Sequence, residues 1–348
     1  MLENEKFWKK INIVNNKKIY YFIIAIQQSL IFFFILYFNL YKNNYNNKNV
    51  VYDKILIKYE LDYENSKFAI MKRKCKICGF FSFYKVFLSC IRKYIIKGFI
   101  PILEVETYPN VFNGYKNNSI LKNPWEYFFD QPFGYTYENV IKKGKNIKYI
   151  NCKRDSTTPQ YTSFDESKII LDFWHIIAQK YIPIKNKIII EANYIINKLF
   201  NGYKNILGIL IRGTDYLAKK PKNHPIPPHP TRVIQDIKKM DKINDYKWFF
   251  IATEDNLIRA KFIKEFGKKL KYILYKVNII YDFNKKSFLS YNDNIKGNLN
   301  FLKVYLINIL ILSKCNDIIT ARTNGAVAAF ILTEGFRNYK IYNIGIYK

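Results

Sequence analysis

The sequence predicts an α/β chain whose second half is a parallel, doubly wound sheet. Short apolar runs recur at 205–211, 247–253, 271–275, 317–320 and 340–344, with stretches of helical spacing between them. The run Gly208-Ile209-Leu210-Ile211 breaks abruptly into Arg212-Gly213-Thr214-Asp215. Such a change is expected where the C-terminal end of a buried strand meets a ligand crevice. Earlier in the chain, a glycine turn, a helical stretch and a strand follow one another over 78–105, which opens a first α/β domain.

The chain has 348 residues, enough for two domains with their own cores. Hydrophobic content of 49% and aromatic content of 18% exclude a disordered protein. The formal net charge is +30, from 57 Lys+Arg against 27 Asp+Glu. Such charge raises nucleic acid, anionic lipid or a phosphorylated ligand as partners. The excess is mostly lysine, however, and accompanies abundant Ile, Asn, Tyr and Phe along the whole length. It reads as compositional bias, with blocks such as Lys219-Lys220-Pro221-Lys222 as solvated surface, and no nucleic-acid partner is expected. Five cysteines, an odd number in a chain this long, argue against a disulfide framework. Cys75 and Cys78 form a single CxxC with no second pair, a weak zinc signal. With three histidines and no Asp-x-Asp, no metal site is expected.

Taken in order, 19–41 carries no charge and lies between lysines, which suits a membrane-spanning helix. An aromatic helix at the membrane surface and a buried hairpin are the alternatives. Lysines on both sides leave orientation open. Residues 1–49 are thus an N-terminal segment with a membrane anchor at 19–41, and 43–49 reads as an Asn-rich linker. The first α/β domain spans 50–165. Its helix at 83–97 places Val86, Phe87, Cys90, Ile91 and Ile95 at helical spacing, Gly98 stops it, and 99–105 is a strand. The aromatic, proline-bracketed segment 123–132 either shapes an acceptor pocket or packs over the sheet. Two helices, 167–180 and 185–200, bend at Pro183 and make a connection over 166–204. The second domain, 205–348, alternates strands with helices. One helix starts near Thr231, whose hydroxyl suits an N-cap, another runs from Glu254-Asp255-Asn256 to Gly267, a third spans 299–315, and a fourth spans 326–333 with Gly335 as its stop.

Parallel strands deliver their C-terminal ends to one rim. Arg212, Glu254-Asp255 and Arg322-Thr323-Asn324-Gly325 therefore share it. Arg212 and Arg322 can neutralise a diphosphate, and Gly213 allows close backbone approach to it. Thr323, Asn324 and Gly325 lead into a helix, whose N-terminus is an anion site. Thr253, Glu254 and Asp255 can accept from ribose hydroxyls or a base edge, although Asp255 equally suits an N-cap. Arg212 with Asp215 could instead be an ion pair that pins the loop. The set fits a nucleoside diphosphate held without a metal, and neither a Walker A motif nor GxGxxG is present.

These strand ends resemble those of the superfamily of α1,2-, α1,6- and protein O-fucosyltransferases. The strand ending in Arg212-Gly213-Thr214-Asp215 is similar to the family's His-x-Arg-Arg-x-Asp, with Arg212 on its first arginine. Ala252-Thr253-Glu254-Asp255 is similar to its Ala-Thr-Asp-Asp, and Arg322-Thr323-Asn324-Gly325 to its late Ser/Thr-rich turn. Cys78-Gly79-Phe80-Phe81 resembles the opening glycine turn. Leu210 stands where the family has histidine, Gly213 replaces its second arginine, and Glu254 replaces an aspartate. The resemblance implies two Rossmann-like domains facing a cleft (GT-B type), a GDP-sugar donor, no metal or other cofactor, and inverting transfer of fucose to a glycan or glycoconjugate hydroxyl. It further implies Arg212, Gly213, Thr214, Thr253, Glu254, Asp255, Arg322, Thr323, Asn324 and Gly325 as the nucleotide-sugar contacts. Arg212 would stabilise the departing diphosphate, with Asp215 or His224 as candidate base. The alternatives are a glycosyltransferase using another nucleotide sugar and a basic polyanion- or membrane-binding protein. Location is expected at a membrane or in the cytoplasm.

Overall fold

The computed structural model describes residues 66–113, 123–160, 168–202, 204–213, 216–217, 220–275 and 297–348. The expected anchor at 19–41, with Thr214 and Asp215, lies outside the described residues. No helix among the described residues is long and apolar enough to cross a membrane. Residues 59–348 form one compact unit that holds two parallel sheets.

The N-terminal sheet has β1 (Lys67–Lys72) at its centre, with β2 (Phe99–Glu104) on one side and β3 (Ile147–Asn151) on the other. Helix α1 (Phe80–Ile95) crosses from β1 to β2, and α2 (Tyr137–Lys143) leads into β3. Phe80, Phe83 and Phe87 on α1 are buried, and they meet Phe112, Trp125, Phe128 and Phe129 in a cluster of edge-on and tilted rings. Trp125 stacks on Phe129 at 4.4 Å. The 123–132 segment is therefore packed into the core, as the second of its two readings held.

Helices α3 (Lys168–Tyr181) and α4 (Asn186–Phe200) follow, bent at Pro183. The Pro183 carbonyl accepts from Asp130 N–H, and Lys185 N–H donates to the Phe128 carbonyl, which fastens the bend to the aromatic loop. The second sheet runs in the order β6-β5-β4-β7-β8, all parallel. Its strands are β4 (Ile206–Leu210), β5 (Trp248–Ala252), β6 (Leu270–Tyr272), β7 (Asp317–Ala321) and β8 (Asn338–Tyr342). The crossovers are α5 (Pro230–Asn244), α6 (Asn256–Phe266), α7 (Leu299–Ser313) and α8 (Asn324–Leu332). Every residue of β4 and β7 is buried, as expected of central strands covered on both faces. Gly208 is required here because a β-carbon would stand 2.9 Å from Leu312 and 3.2 Å from Cys315. Helix α8 packs on both α1 and α3, and the rings of Phe81 and Tyr305 meet at 4.9 Å, so the two sheets belong to one continuous body. Their C-terminal rims border a shared cleft, the GT-B arrangement.

Two expectations are corrected. The cysteines do form disulfides, Cys75–Cys78 and Cys90–Cys152, and the odd one, Cys315, is buried in the second core. The odd count thus reflects one core thiol added to two pairs. Thr231 is not the cap of α5: the His229 ring nitrogen accepts from Thr231 N–H, and Pro230 takes the first helical position, where its missing N–H is harmless.

The base of the second sheet is held by Asp317, which is fully buried. It accepts from Tyr246 hydroxyl, from Arg337 at 2.8 and 3.1 Å, and from Asn338 N–H at 2.9 Å. Burial alone would raise its carboxyl, but these hydrogen bonds outweigh burial and hold it below the usual range. A carboxylate depressed in the fold contributes stability that is present above its unfolded value of about 4 and is lost as pH falls through the folded value. Asp317→Asn should therefore lower the unfolding midpoint at neutral pH and flatten its decline below about pH 4. Thermal unfolding across pH checks this, and an unchanged acid limb would contradict it.

Candidate functional site

Parallel pairing sets the geometry of the cleft. Leu210 of β4 is opposite Ala252 of β5 and Thr320 of β7. Two residues beyond these positions stand Arg212, Glu254 and Arg322, just past the ends of three neighbouring strands. The chain winds from β4 to β5 and β6 on one side and to β7 and β8 on the other, so the β4–β7 junction is the sheet's switch point. Ligands of open α/β sheets bind outside that junction.

The cleft is lined on the second sheet by Leu210, Arg212, Thr253, Glu254 and Thr323, and on α7 by Tyr305. Gly79, Phe80 and Val111 close it from the first sheet. About 700 Å³ of empty space, its open mouth included, lies between them.

Each lining group has a local cause. Arg212 leaves β4 with its guanidinium over the ring of Tyr216, 4.4 Å from the centroid. That face-on contact orients the fork of donors while preserving its charge. Gly213 N–H donates to Glu254 at 3.1 Å, which ties the β4 loop to the end of β5. A β-carbon on Gly213 would lie 2.3 Å from an Asp255 carboxylate oxygen and 2.7 Å from Ile258. The close approach that requires glycine is therefore to α6, where the sequence reading had a ligand. Asp255 is an N-cap, its carboxylate accepting from Leu257 N–H at 2.9 Å and Ile258 N–H at 3.0 Å. Thr253, also buried, accepts from Asp255 N–H at 3.2 Å through its hydroxyl.

Thr323 caps α8, accepting from Ala326 N–H at 3.1 Å. Gly325 lets the first turn of α8 approach α7, since a β-carbon there would stand 2.7 Å from the Tyr305 hydroxyl. The N-terminal end of α8 is thus held at the cleft, with Asn324 in its first turn. Helix N-terminal N–H groups carry partial positive charge towards such an opening. Arg322 stands at the rim beside Thr323 and is not among the lining residues.

Tyr275 was missed by the sequence reading, which ended a strand on it; β6 stops at Tyr272 and the chain turns into the cleft. Burial raises its phenol well above the ordinary value, and the nearby Tyr305 and Glu254 push the same way. An aromatic residue just past an edge strand gave the only hint.

His224 does not line the cleft. Its ring stands edge-on to Tyr216 at 5.6 Å, so Tyr216 separates it from Arg212. Its Nδ1 pairs with the Lys222 carbonyl at 3.0 Å. The surrounding loop is zipped to the chain end: Asn223 N–H donates to Tyr347, Tyr347 N–H to His224, and Ile226 N–H to Gly345, each to a backbone carbonyl.

Comparison with known proteins finds structural likeness alone. No protein-family model matches the chain, and no curated protein matches it in sequence. The chain is similar to POFUT1 in complex with GDP, with a TM-score of 0.47 and 10% identity over 80% of this chain and 99% of that one. It is also similar to fucosyltransferase NodZ from Bradyrhizobium, with a TM-score of 0.46 and 11% identity over 77% and 94% of the two chains. NodZ α-1,6-fucosyltransferase soaked with GDP-fucose gives 0.43 at 12% identity over 77% and 93%. Similarity at this level transfers no residue role.

The contact at Gly213 is directly testable. Gly213→Ala must displace Asp255 or the loop, and overpacking of this kind costs about 1–3 kcal/mol. Chemical denaturation should show that loss, and a variant as stable as the parent would mean that the loop yields without strain.

Proposed function

We propose that the protein is a glycosyltransferase that binds a GDP-sugar in this cleft and transfers the sugar, fucose by resemblance of its strand ends, to a glycan or glycoconjugate hydroxyl. The carrying observation is that Arg212, Glu254 and Thr323, from three adjacent strand ends, line one cleft at the switch point.

The acceptor oxygen attacks the anomeric carbon as the bond from that carbon to the β-phosphate oxygen breaks, and configuration inverts. Negative charge grows on the departing diphosphate. A fixed guanidinium at Arg212 and the α8 N-terminus oppose that charge without reorganising, which is how such groups lower a barrier. Arg322 adds a second positive charge at the rim. Glu254, an acceptor-only group at neutral pH, suits the N–H donors of a guanine edge or ribose hydroxyls. Proton removal from the acceptor falls to Asp215 or to His224, and His224 would have to act past Tyr216. The scheme needs no metal or further cofactor. The two disulfides support maturation in an oxidising compartment over the cytoplasm.

Thermal-shift measurement against GDP-, UDP- and CMP-sugars tests the donor, because a ligand specific to the native state raises its midpoint by mass action. GDP-sugars should give the largest shift. Arg212→Ala should abolish it and reduce transfer by about a hundredfold or more. Transfer that survives Arg212→Ala within a few-fold would sink the proposal.

A further inference from the structure

The N-terminal sheet has a switch point of its own. From β1 the chain goes to β2 on one side and to β3 on the other, so β1 and β3 border that junction. Arg73 directly follows β1, and Arg154 lies three residues past the end of β3. The chain has only eight arginines among its 57 basic residues. Four of them, Arg73, Arg154, Arg212 and Arg322, stand just past strand ends at the two switch points. In a chain where lysine is the default cation, that placement is selective.

A third cation completes the group. Lys85, on α1, is 5% exposed. Its ammonium reaches the Gln160 side-chain oxygen at 3.2 Å, and the Arg154 guanidinium reaches the same oxygen at 3.0 Å. Two like charges therefore converge on a single neutral acceptor. Arg73 is half-buried beside them, donating to the Ser82 carbonyl and lying 3.1 Å from Cys78 sulfur. None of the three contacts a carboxylate among the described residues. The nearby acids are engaged elsewhere: Glu104 pairs with Lys72 at 3.2 Å, and Asp155 accepts from Thr157 and Thr158. Burial, then repulsion from Arg154 and Arg73, lowers the Lys85 ammonium to about 7.

Such a cluster needs an external restraint, and the fold supplies one. Cys90–Cys152 fastens the end of β3 to α1, and Cys75–Cys78 closes the loop between β1 and α1. Ser89 on α1 and Thr158 share a hydrogen bond at 3.2 Å. Repelling charges are thereby held together before anything binds. Gly79, directly after Cys78, lines the donor cleft, so the cluster adjoins the place where sugar would be transferred.

We propose that Arg73, Lys85 and Arg154 form an oxyanion subsite for the acceptor, binding a carboxylate, sulfate or phosphate group on the glycan or glycoconjugate that receives the sugar. The Gln160 oxygen marks where an anionic oxygen would sit, Lys85 forms the floor, and exposed Arg154 forms the entrance. The acceptor role rests on the transferase reading, but anion binding does not.

The test uses the full chain and thermal shift, with sodium sulfate compared against sodium chloride at matched ionic strength. Sulfate should raise the midpoint of the parent and of Arg212→Ala. Lys85→Met and Arg154→Gln should each lose that shift. A sulfate shift kept in both cluster variants, or lost only in Arg212→Ala, overturns the subsite. The acceptor arm compares a monosulfated disaccharide with its desulfated counterpart by calorimetry. The sulfated form should bind more tightly, and Arg154→Gln should weaken it by about tenfold or more, the range for a lost hydrogen bond to a charged group. Removing one of many surface charges would change unspecific binding far less. Equal affinity for the two disaccharides overturns the acceptor assignment. Failure of the donor reading looks different: GDP would give no shift while the sulfate response stayed intact.

Discussion

The register of β4 with β5 and β7 is the constraint on which the cleft depends. Parallel strands lie about 4.8 Å apart, and their hydrogen bonds tolerate no drift along the chain. With Leu210 level with Ala252 and Thr320, the positions two residues on become neighbours although they are far apart in sequence. A one-residue slip would turn Arg212 towards the opposite face and place Ile211 at the opening. Gly208 guards the same register from behind, since Leu312 and Cys315 occupy the space where any side chain would go.

Charge in this protein has two distinct uses. Most of the +30 is lysine spread along the chain, and exposed charges of that kind are screened within about 8–10 Å by salt. The cations gathered beside the two switch points are different. Arg212 lies on Tyr216, and Lys85 lies below the surface between two arginines. There the surroundings screen less, and each charge acts strongly on whatever enters. Overall charge therefore says little about partners, whereas the positions of a scarce residue say a good deal.

Much of the second half was legible from sequence because fully buried strands read as unbroken apolar runs. The ends of β4, β5 and β7 were placed to within a residue or two for that reason. The first half was harder. β1, Lys67–Lys72, hides a four-residue apolar stretch between lysines, and β3, Ile147–Asn151, is an edge strand whose exposed and buried positions follow no clean alternation. Short edge strands draw their stability from partners distant in sequence, which no local pattern records. The site showed the same division. That Arg212 and Thr323 share a cleft followed from parallel topology alone. That Gly213 answers to Asp255, that Tyr275 turns inward, and that His224 stands behind Tyr216 depends on loop paths fixed by tertiary contacts. The disulfides were missed because a count of five concealed two pairs and a core thiol.

The last residues of the chain are more than a trailing end. Through Gly345 and Tyr347 they pair with the loop that carries His224, serving it as an adventitious edge strand. That loop is rich in proline, with Pro227 and Pro228 buried. Around His224 its path is also fixed by backbone bonds to a segment some 120 residues downstream. Clipping the final few residues, or appending an affinity tag that competes for those bonds, would release the loop while leaving both cores whole, so the terminus is a poor place to attach a handle.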